Sequence, residues 1–161
     1  MEIILTIFTS SYNRAHTLCR LYDSLKSQTN KKFEWLVIND GSTDNTDELF
    51  EIWRNGNNAF PINYIKVSNG GKNRAVNQGV KLAQGKYFFI VDSDDQLLPD
   101  AVQFVIEAFE QLPKDESFIG ISSIRGDMEG KELNGAAKID KTIGYVDCNN
   151  LERSNYNLQA D

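Results

Sequence analysis

The chain has 161 residues, of which 40% are apolar and 25% charged, so one ordinary globular domain with a substantial core is expected. The formal net charge of −6, without a basic stripe, argues against a dedicated nucleic-acid-binding protein. No apolar run reaches the roughly 18 residues of a membrane span, and Ile3–Phe8 is too short for a signal peptide. With only Cys19, Cys148 and His16, neither a disulfide framework nor a zinc site is expected, which favours a reducing cytoplasm.

Strand-like and helix-like segments alternate along most of the chain. Short β-branched or aromatic runs predict strands, and apolar residues at helical spacing predict helices. The predicted order is strand 3–8, helix 14–28, strand 33–38, helix 43–55, strand 62–67, helix 72–83, strand 87–91, a helix from residue 99 and strand 118–122. This order predicts an α/β fold with a mostly parallel sheet and helices on both faces.

We expect a single domain over residues 1–161, with a well-patterned core at 1–122 and irregular loops or a hairpin at 123–161. Three local features are also predicted. Ser42 and Asp44 would cap the second helix, and Gly85 would end the third helix in a left-handed conformation. Cys19 is expected to pack on a helix face.

The segment Lys86–Pro99, KYFFIVDSDDQLLP, organises the rest of the chain. Its apolar start, Tyr87–Val91, predicts a strand that is buried on both faces. Three carboxylates follow within four residues and repel one another unless a cation offsets them, and Mg²⁺ and Mn²⁺ prefer such oxygen ligands. The alternative is a solvated acidic turn that caps the next helix. That turn explains Asp100 better than it explains Asp92 and Asp94, so we favour a metal site.

Parallel strands would bring four loops to one edge of the sheet, which is where such sheets bind ligands. The loops are Thr9–Asn13, Asn39–Ser42, Ser68–Lys72 and Asp92–Asp95. They offer an aromatic ring, a lone carboxylate, a glycine-softened basic loop and an acidic cluster. That combination suits a nucleoside diphosphate with its metal ion.

Each of these features, taken alone, also has an interpretation that involves no ligand. Tyr12 could cover the end of the first helix, and Asn69–Gly71 could be a flexible link. Lys72 could be an ordinary solvated side chain. The glycines do not form the GxGxxG pattern, which disfavours a dinucleotide fold.

Three segments resemble the successive signatures of the family 2 glycosyltransferases, which have the GT-A fold. The segments are FTSSYNRAHTLCRLYDSLKSQT, FEWLVINDGSTDNT and NGGKNRAVNQGVKLAQGKYFFIVDSDDQLLPDA. They span roughly the first 110 residues in the family's order. The resemblance implies an inverting transferase that uses a nucleotide-sugar, most often a UDP-sugar, with Mn²⁺ or Mg²⁺.

The resemblance also implies roles for particular residues. Asp92-Ser93-Asp94 resembles the family's DxD motif, in which Asp92 lies near the donor ribose and Asp94 ligates the metal. Asp40 matches the aspartate that accepts a hydrogen bond from the uracil N–H, and Ser10 and Tyr12 match the loop against the base. The implied donor-binding set is Ser10, Tyr12, Asp40, Lys72, Asp92 and Asp94.

No general base can be assigned from the sequence. In the family it is an acidic residue well beyond the DxD motif, and the surroundings of Glu129, Glu132 and Asp147 do not match it. We therefore expect the chain to be the donor-binding portion of a longer protein, which could contact a membrane peripherally. Saccharide, lipid-linked or protein acceptors are implied.

Two other functions remain to be separated from the transferase. The missing base leaves open a non-catalytic nucleotide-sugar-binding fragment. FIVDSDDQLL also superficially copies the motif of haloacid-dehalogenase-type phosphohydrolases. That class places the motif on the first strand with Thr or Val two residues after the second Asp, whereas here it follows the fourth strand and Gln96 stands at that position.

Overall fold

The computed structural model describes residues 2–112, in which four strands alternate with four helices. They are β1 (Leu5–Ser11), α1 (Ala15–Lys26), β2 (Phe33–Asn39), α2 (Thr46–Asn55), β3 (Ile62–Lys66), α3 (Lys72–Leu82), β4 (Tyr87–Ile90) and α4 (Ala101–Gln111). Contacts divide the chain into two units, residues 1–107 and 108–161, and the four described strands belong to the first. The predicted strand at 118–122 and loops at 123–161 lie outside the described residues, and the single-domain extent stays a prediction.

The four strands form one sheet in the order β3-β2-β1-β4, and every neighbouring pair is parallel. The predicted α/β class with a parallel sheet is confirmed. The chain adds β2 and β3 on one side of β1 and then returns to place β4 on the other side. This reversal lies between β1 and β4, and open α/β sheets bind ligands at such a position.

One face of the sheet is covered by α1 and α2 through a cluster of aromatic rings. Trp35 of β2 is fully buried, and its ring centroid lies 6.1 Å from Tyr22, 5.1 Å from Phe50 and 5.8 Å from Trp53. Because side chains alternate across a strand, the neighbouring positions of β2 face the opposite side.

The other face packs against α3. Phe8, Leu36 and Ile38 are buried there with Ala75 of the helix. Gly79 lies so close to the sheet that an added Cβ would be 2.2 Å from a carbon of the Phe8 ring. Only glycine fits without displacing that buried ring, so this position sets the approach of α3. The prediction of helices on both faces is confirmed.

Several predicted boundaries are corrected. β1 begins later than predicted and continues to Ser11, because Thr9 pairs with Val37 and Ser11 with Asn39. The first post-strand loop therefore starts at Tyr12. α2 begins at Thr46 rather than at residue 43.

Three predictions about side-chain environment are wrong. Among the described residues β4 pairs only with β1, so Tyr87–Ile90 is half-buried and Ile90 is 46% exposed rather than buried on both faces. Gly85 does not adopt the left-handed conformation; an added Cβ there would lie 2.4 Å from the Thr6 nitrogen, so close approach explains the glycine. Cys19 is exposed.

A buried carboxylate ties the strands together at the end of the sheet opposite the predicted site. Glu34 is fully buried, and its Oε1 accepts hydrogen bonds of 2.6 Å from the Thr6 hydroxyl and from the backbone amide of Gln84. Its Oε2 accepts from the Asn63 side-chain amide at 2.6 Å. These donors satisfy a group that would otherwise be costly to bury.

Glu34→Leu should therefore destabilise the chain by about 3 kcal/mol, since three donors lose their acceptor inside the fold. Urea unfolding followed by circular dichroism measures the change. Glu51→Leu, at an exposed position of α2, is the control and should stay within about 0.5 kcal/mol of the wild type. Equal stability of the two variants would contradict a structural role for the Glu34 network.

Candidate functional site at the carboxyl edge of the sheet

Four loops follow the carboxyl ends of the strands. We call residues 12–14 the first loop, 40–45 the second, 67–71 the third and 91–100 the fourth. Because all four strands are parallel, these loops lie at one edge of the sheet, as predicted. Hydrogen bonds join the first loop to the second and the second to the third, and Lys72 at the start of α3 contacts the fourth.

The first and second loops interlock around Asn13, which has a φ of 53°. Asparagine tolerates this left-handed conformation better than most residues. The backbone amide of Asn13 donates to Ser42 Oγ at 2.9 Å. The side-chain oxygen of Asn13 accepts from the backbone amide of Thr43 at 2.8 Å. Ser42 therefore joins two loops rather than capping α2 as predicted.

Asp44 binds the start of α2, as predicted, and in addition the start of α1. Its Oδ2 accepts from the Ala15 amide, the first of α1, at 3.0 Å, and its Oδ1 accepts from the Thr46 hydroxyl at 2.6 Å and amide at 3.2 Å. Burial pushes the pKa of Asp44 up, but these hydrogen bonds outweigh burial and hold its pKa below the ordinary value. Asp44 thus binds the start of one helix to the start of another.

The second and third loops are joined by Asp40, which is only 5% exposed. Its Oδ1 accepts from the Gly70 amide and its Oδ2 from the Gly71 amide, each at 2.8 Å. Its backbone oxygen accepts from the Asn69 side chain at 3.0 Å. Gly41 has a φ of 80°, and an added Cβ would lie 2.8 Å from the Asn69 nitrogen. Glycine is required there by both conformation and space.

The start of α3 reaches the fourth loop through an ion pair. Lys72 Nζ lies 2.9 Å from Asp92 Oδ1, and the two side chains are 48% and 29% exposed. The Asp95 amide donates to the Asp92 backbone oxygen at 3.1 Å and makes a turn. Among residues 2–112, no three acidic, histidine or cysteine side chains converge to form a metal site by themselves.

The remaining predicted residues lie on the same edge with fewer contacts. Ser10 is half-buried near the end of β1, and Tyr12 is 50% exposed. Asp94 is exposed in the fourth loop, beside the buried Ser93. The structure thus joins Asp40, Lys72 and Asp92 through contacts with the third loop and α3, while these other side chains remain accessible.

Sequence reasoning placed Asn39 in the second loop and missed its role as a fully buried residue at the end of β2. Its side chain donates to Tyr64 and Asp47 and accepts from the Ser42 amide at 2.8 Å. Hydrogen bonds from Lys66 and Tyr64 lower the pKa of Asp47, and burial followed by the Asp47 contact raises the pKa of Tyr64. The only sequence signal was an asparagine directly before Asp-Gly-Ser at a strand end, which is also a common turn sequence.

The fold is that of a GT-A transferase. The structure aligns with Staphylococcus aureus TarS residues 1–349 in complex with UDP-GlcNAc at a TM-score of 0.62 and 26% identity, over 68% of this chain and 32% of that one. It aligns with the Pyrobaculum calidifontis mannosyltransferase PcManGT, solved with GDP-Man and Mn²⁺, at a TM-score of 0.61 and 22% identity, over 73% and 34%. The second likeness concerns the fold alone.

The chain belongs to glycosyl transferase family 2, whose family model matches residues 6–153. It is 39% identical over 106 residues to the chondroitin synthase of Pasteurella multocida, covering 66% of this chain and 11% of that protein. It is 32% identical over 121 residues to the poly-β-1,6-N-acetyl-D-glucosamine synthase of Staphylococcus aureus, covering 75% and 29%. The chain thus spans a small part of the relatives it matches.

Family membership confirms the predicted resemblance and overturns the phosphohydrolase alternative, since the acidic motif follows β4 and not β1. Within residues 2–112, no helix combines the length and apolar character needed to cross a bilayer.

The lowered pKa of Asp44 gives a pH prediction. A carboxylate whose pKa is depressed by folding contributes stability above its unfolded pKa, about 3.9, and loses it as the pH falls through the folded value. Asp44→Asn should therefore be less stable than the wild type at pH 7, and the difference should shrink below about pH 4.

Urea midpoints of both proteins between pH 7 and pH 3 measure that difference. Asp23→Asn, an exposed position of α1, is the control and should match the wild type at pH 7. A wild-type advantage over Asp44→Asn that stays constant down to pH 3 would show that the Asp44 charge does not hold the two helix starts.

Proposed function

We propose that this chain binds a nucleotide-sugar at the carboxyl edge of the sheet and forms the donor half of an inverting glycosyltransferase. The observation that supports it most is the continuous series of contacts from Asp40 through Gly70 and Gly71 to Lys72 and Asp92. In a family 2 fold, Asp40 would serve as an acceptor for a base, Lys72 as a cation for phosphate and Asp92 as an acidic group beside it.

Ser10, Tyr12 and Asp40 are proposed to hold the nucleobase. The half-exposed Tyr12 ring offers an aromatic face for stacking. Each Asp40 oxygen accepts one glycine amide, and a carboxylate oxygen has a second lone pair that could accept a uracil N–H. A UDP-sugar is the favoured donor because TarS, at 26% identity, was solved with UDP-GlcNAc.

Asp92, Asp94 and Lys72 are proposed to hold the ribose and the diphosphate. Asp94 presents an exposed carboxylate, the hard oxygen ligand that Mn²⁺ and Mg²⁺ prefer, so the residues present fit such an ion. A single protein carboxylate suffices when phosphate oxygens and water complete the shell. Bound there, the ion would stabilise the charge that grows on the departing diphosphate.

In the proposed reaction, an acceptor hydroxyl attacks the anomeric carbon, the bond to the diphosphate breaks, and the configuration inverts. The hydroxyl proton must pass to a general base. No base is assigned: the surroundings of Glu129, Glu132 and Asp147 do not match the family's base, and these residues lie outside the described part of the chain. The alternative, a non-catalytic nucleotide-sugar-binding fragment, keeps the same donor site.

The acceptor is proposed to be a growing saccharide. The relatives include synthases of chondroitin and of poly-β-1,6-N-acetyl-D-glucosamine, both polysaccharides. Lipid-linked or protein-linked glycans remain the other acceptor classes of the proposal.

A thermal-shift measurement tests donor binding directly. UDP with Mn²⁺ at 100 times its Kd should stabilise the folded chain by about 2.7 kcal/mol, because only the folded state binds it. Neither UDP alone nor Mn²⁺ alone should match that effect. No shift at millimolar UDP and Mn²⁺ would contradict the proposed site, and release of UDP from UDP-GlcNAc with an oligosaccharide acceptor would distinguish a transferase from a binding fragment.

Asp94→Asn should abolish the Mn²⁺-dependent part of UDP binding, since an amide is a much weaker ligand than a carboxylate, while the exposed position leaves the fold intact. Isothermal titration with UDP, with and without Mn²⁺, measures the effect. Asp100→Asn is the matched control at an exposed position of the fourth loop and should bind UDP and Mn²⁺ like the wild type. Unchanged metal dependence in Asp94→Asn would remove Asp94 from the site.

A further inference from the structure

The third loop, residues 67–71, has a sequence that does not by itself favour one conformation. Asn69, Gly70 and Gly71 are all exposed, and glycine has the largest conformational freedom to lose. The loop nevertheless leads directly into Lys72, the first residue of α3, which reaches across to Asp92. The N-cap residue Gly71 has a φ of 88°, and as a glycine it has no side chain that could cap the helix. A residue outside the third loop must therefore hold the loop in one conformation if Lys72 is to have a defined position.

Asp40 is the group that fixes it. The carboxylate is 5% exposed at the end of β2, and its two oxygens each accept one glycine amide at 2.8 Å. Hydrogen bonds to a charged acceptor are about twice as strong as neutral ones. The Asn69 side chain returns a third bond to the Asp40 backbone oxygen at 3.0 Å, and Gly41 lets the two loops touch.

We propose that Asp40 is a positioning residue for nucleotide binding: its carboxylate clamps Gly70 and Gly71 and thereby sets the place of Lys72. This proposal rests on the proposed function and extends it, since the same carboxylate would serve both the base and the phosphate side of the donor. A base contact alone predicts that Asp40 and Lys72 act independently. A clamp predicts that the contribution of Lys72 depends on Asp40.

The first test needs no ligand. In the unliganded 161-residue chain, the Gly70 and Gly71 amide protons should exchange slowly for exposed loop residues, because both are bonded to Asp40. Asp40→Ala should speed both exchanges by roughly tenfold or more. Asp40→Asn retains one acceptor oxygen and should release only one of the two amides.

Amide-resolved hydrogen exchange by NMR gives this result residue by residue. Asp23→Ala on the exposed side of α1 is the control and should leave both amides as in the wild type. Rapid exchange of Gly70 and Gly71 in the wild type itself would overturn the clamp, whether or not any Asp40 variant folds.

The second test measures coupling between the two residues in UDP affinity. Lys72→Met should weaken UDP binding roughly tenfold in the wild-type background, since a charged partner of the phosphates is lost. In the Asp40→Ala background the same change should cost less than about threefold, because Lys72 is no longer held in place. Independent losses that multiply would overturn positioning and leave Asp40 as a base contact.

The two tests separate the failure of this proposal from that of the proposed function. If the wild-type chain binds no UDP but the Gly70 and Gly71 amides are protected, the proposed donor site is wrong. Asp40 then still holds the third loop in place, but not for binding a nucleotide. If UDP binds but the amides are unprotected and the losses multiply, the donor site stands and the positioning role fails.

Discussion

Parallel pairing of all four described strands is the constraint on which the candidate site depends. It brings the carboxyl ends of β1, β2, β3 and β4 to one edge, although the loops that follow them are separated by about 20 to 30 residues of chain. The order β3-β2-β1-β4 then places the reversal beside β1. The side chains at the edge could be changed one at a time, but an antiparallel β4 would remove the acidic motif from the site altogether.

The polar groups at this edge divide into two kinds. Asp40, Asn39 and Ser42 are buried, and backbone amides or neighbouring side chains satisfy them, so they hold loops in place. Tyr12 and Asp94 are exposed and available to a ligand. Buried, hydrogen-bonded groups that hold the loops beside exposed side chains preorganise a binding site, because the loops then lose less conformational entropy on binding.

The sequence predicted the fold class, the order of elements and the four loops, because apolar periodicity and turn residues are local signals. It could not predict contacts that depend on register. Thr9–Ser11 is polar and looks like a loop, yet its pairing with β2 makes it strand. The apolar run Tyr87–Ile90 looks the same in the sequence whether its strand has one neighbour, as among residues 2–112, or two. The bonds of Asp40 to Gly70 and Gly71 cross 30 and 31 residues, so only the β2–β3 pairing reveals them.

The structure also changes the interpretation of the acidic cluster after β4, for which the sequence alone predicts mutual repulsion. Asp92 lies 2.9 Å from the ammonium group of Lys72 at the start of α3, which relieves part of the repulsion that its sequence implies. Both side chains are partly exposed, so this pair contributes only about 0 to 1 kcal/mol to stability. A pair that weak would open at little cost if the proposed diphosphate competed for the ammonium group. Lys72 therefore suits a ligand-responsive role, whereas the doubly bonded Asp40 suits a fixed one.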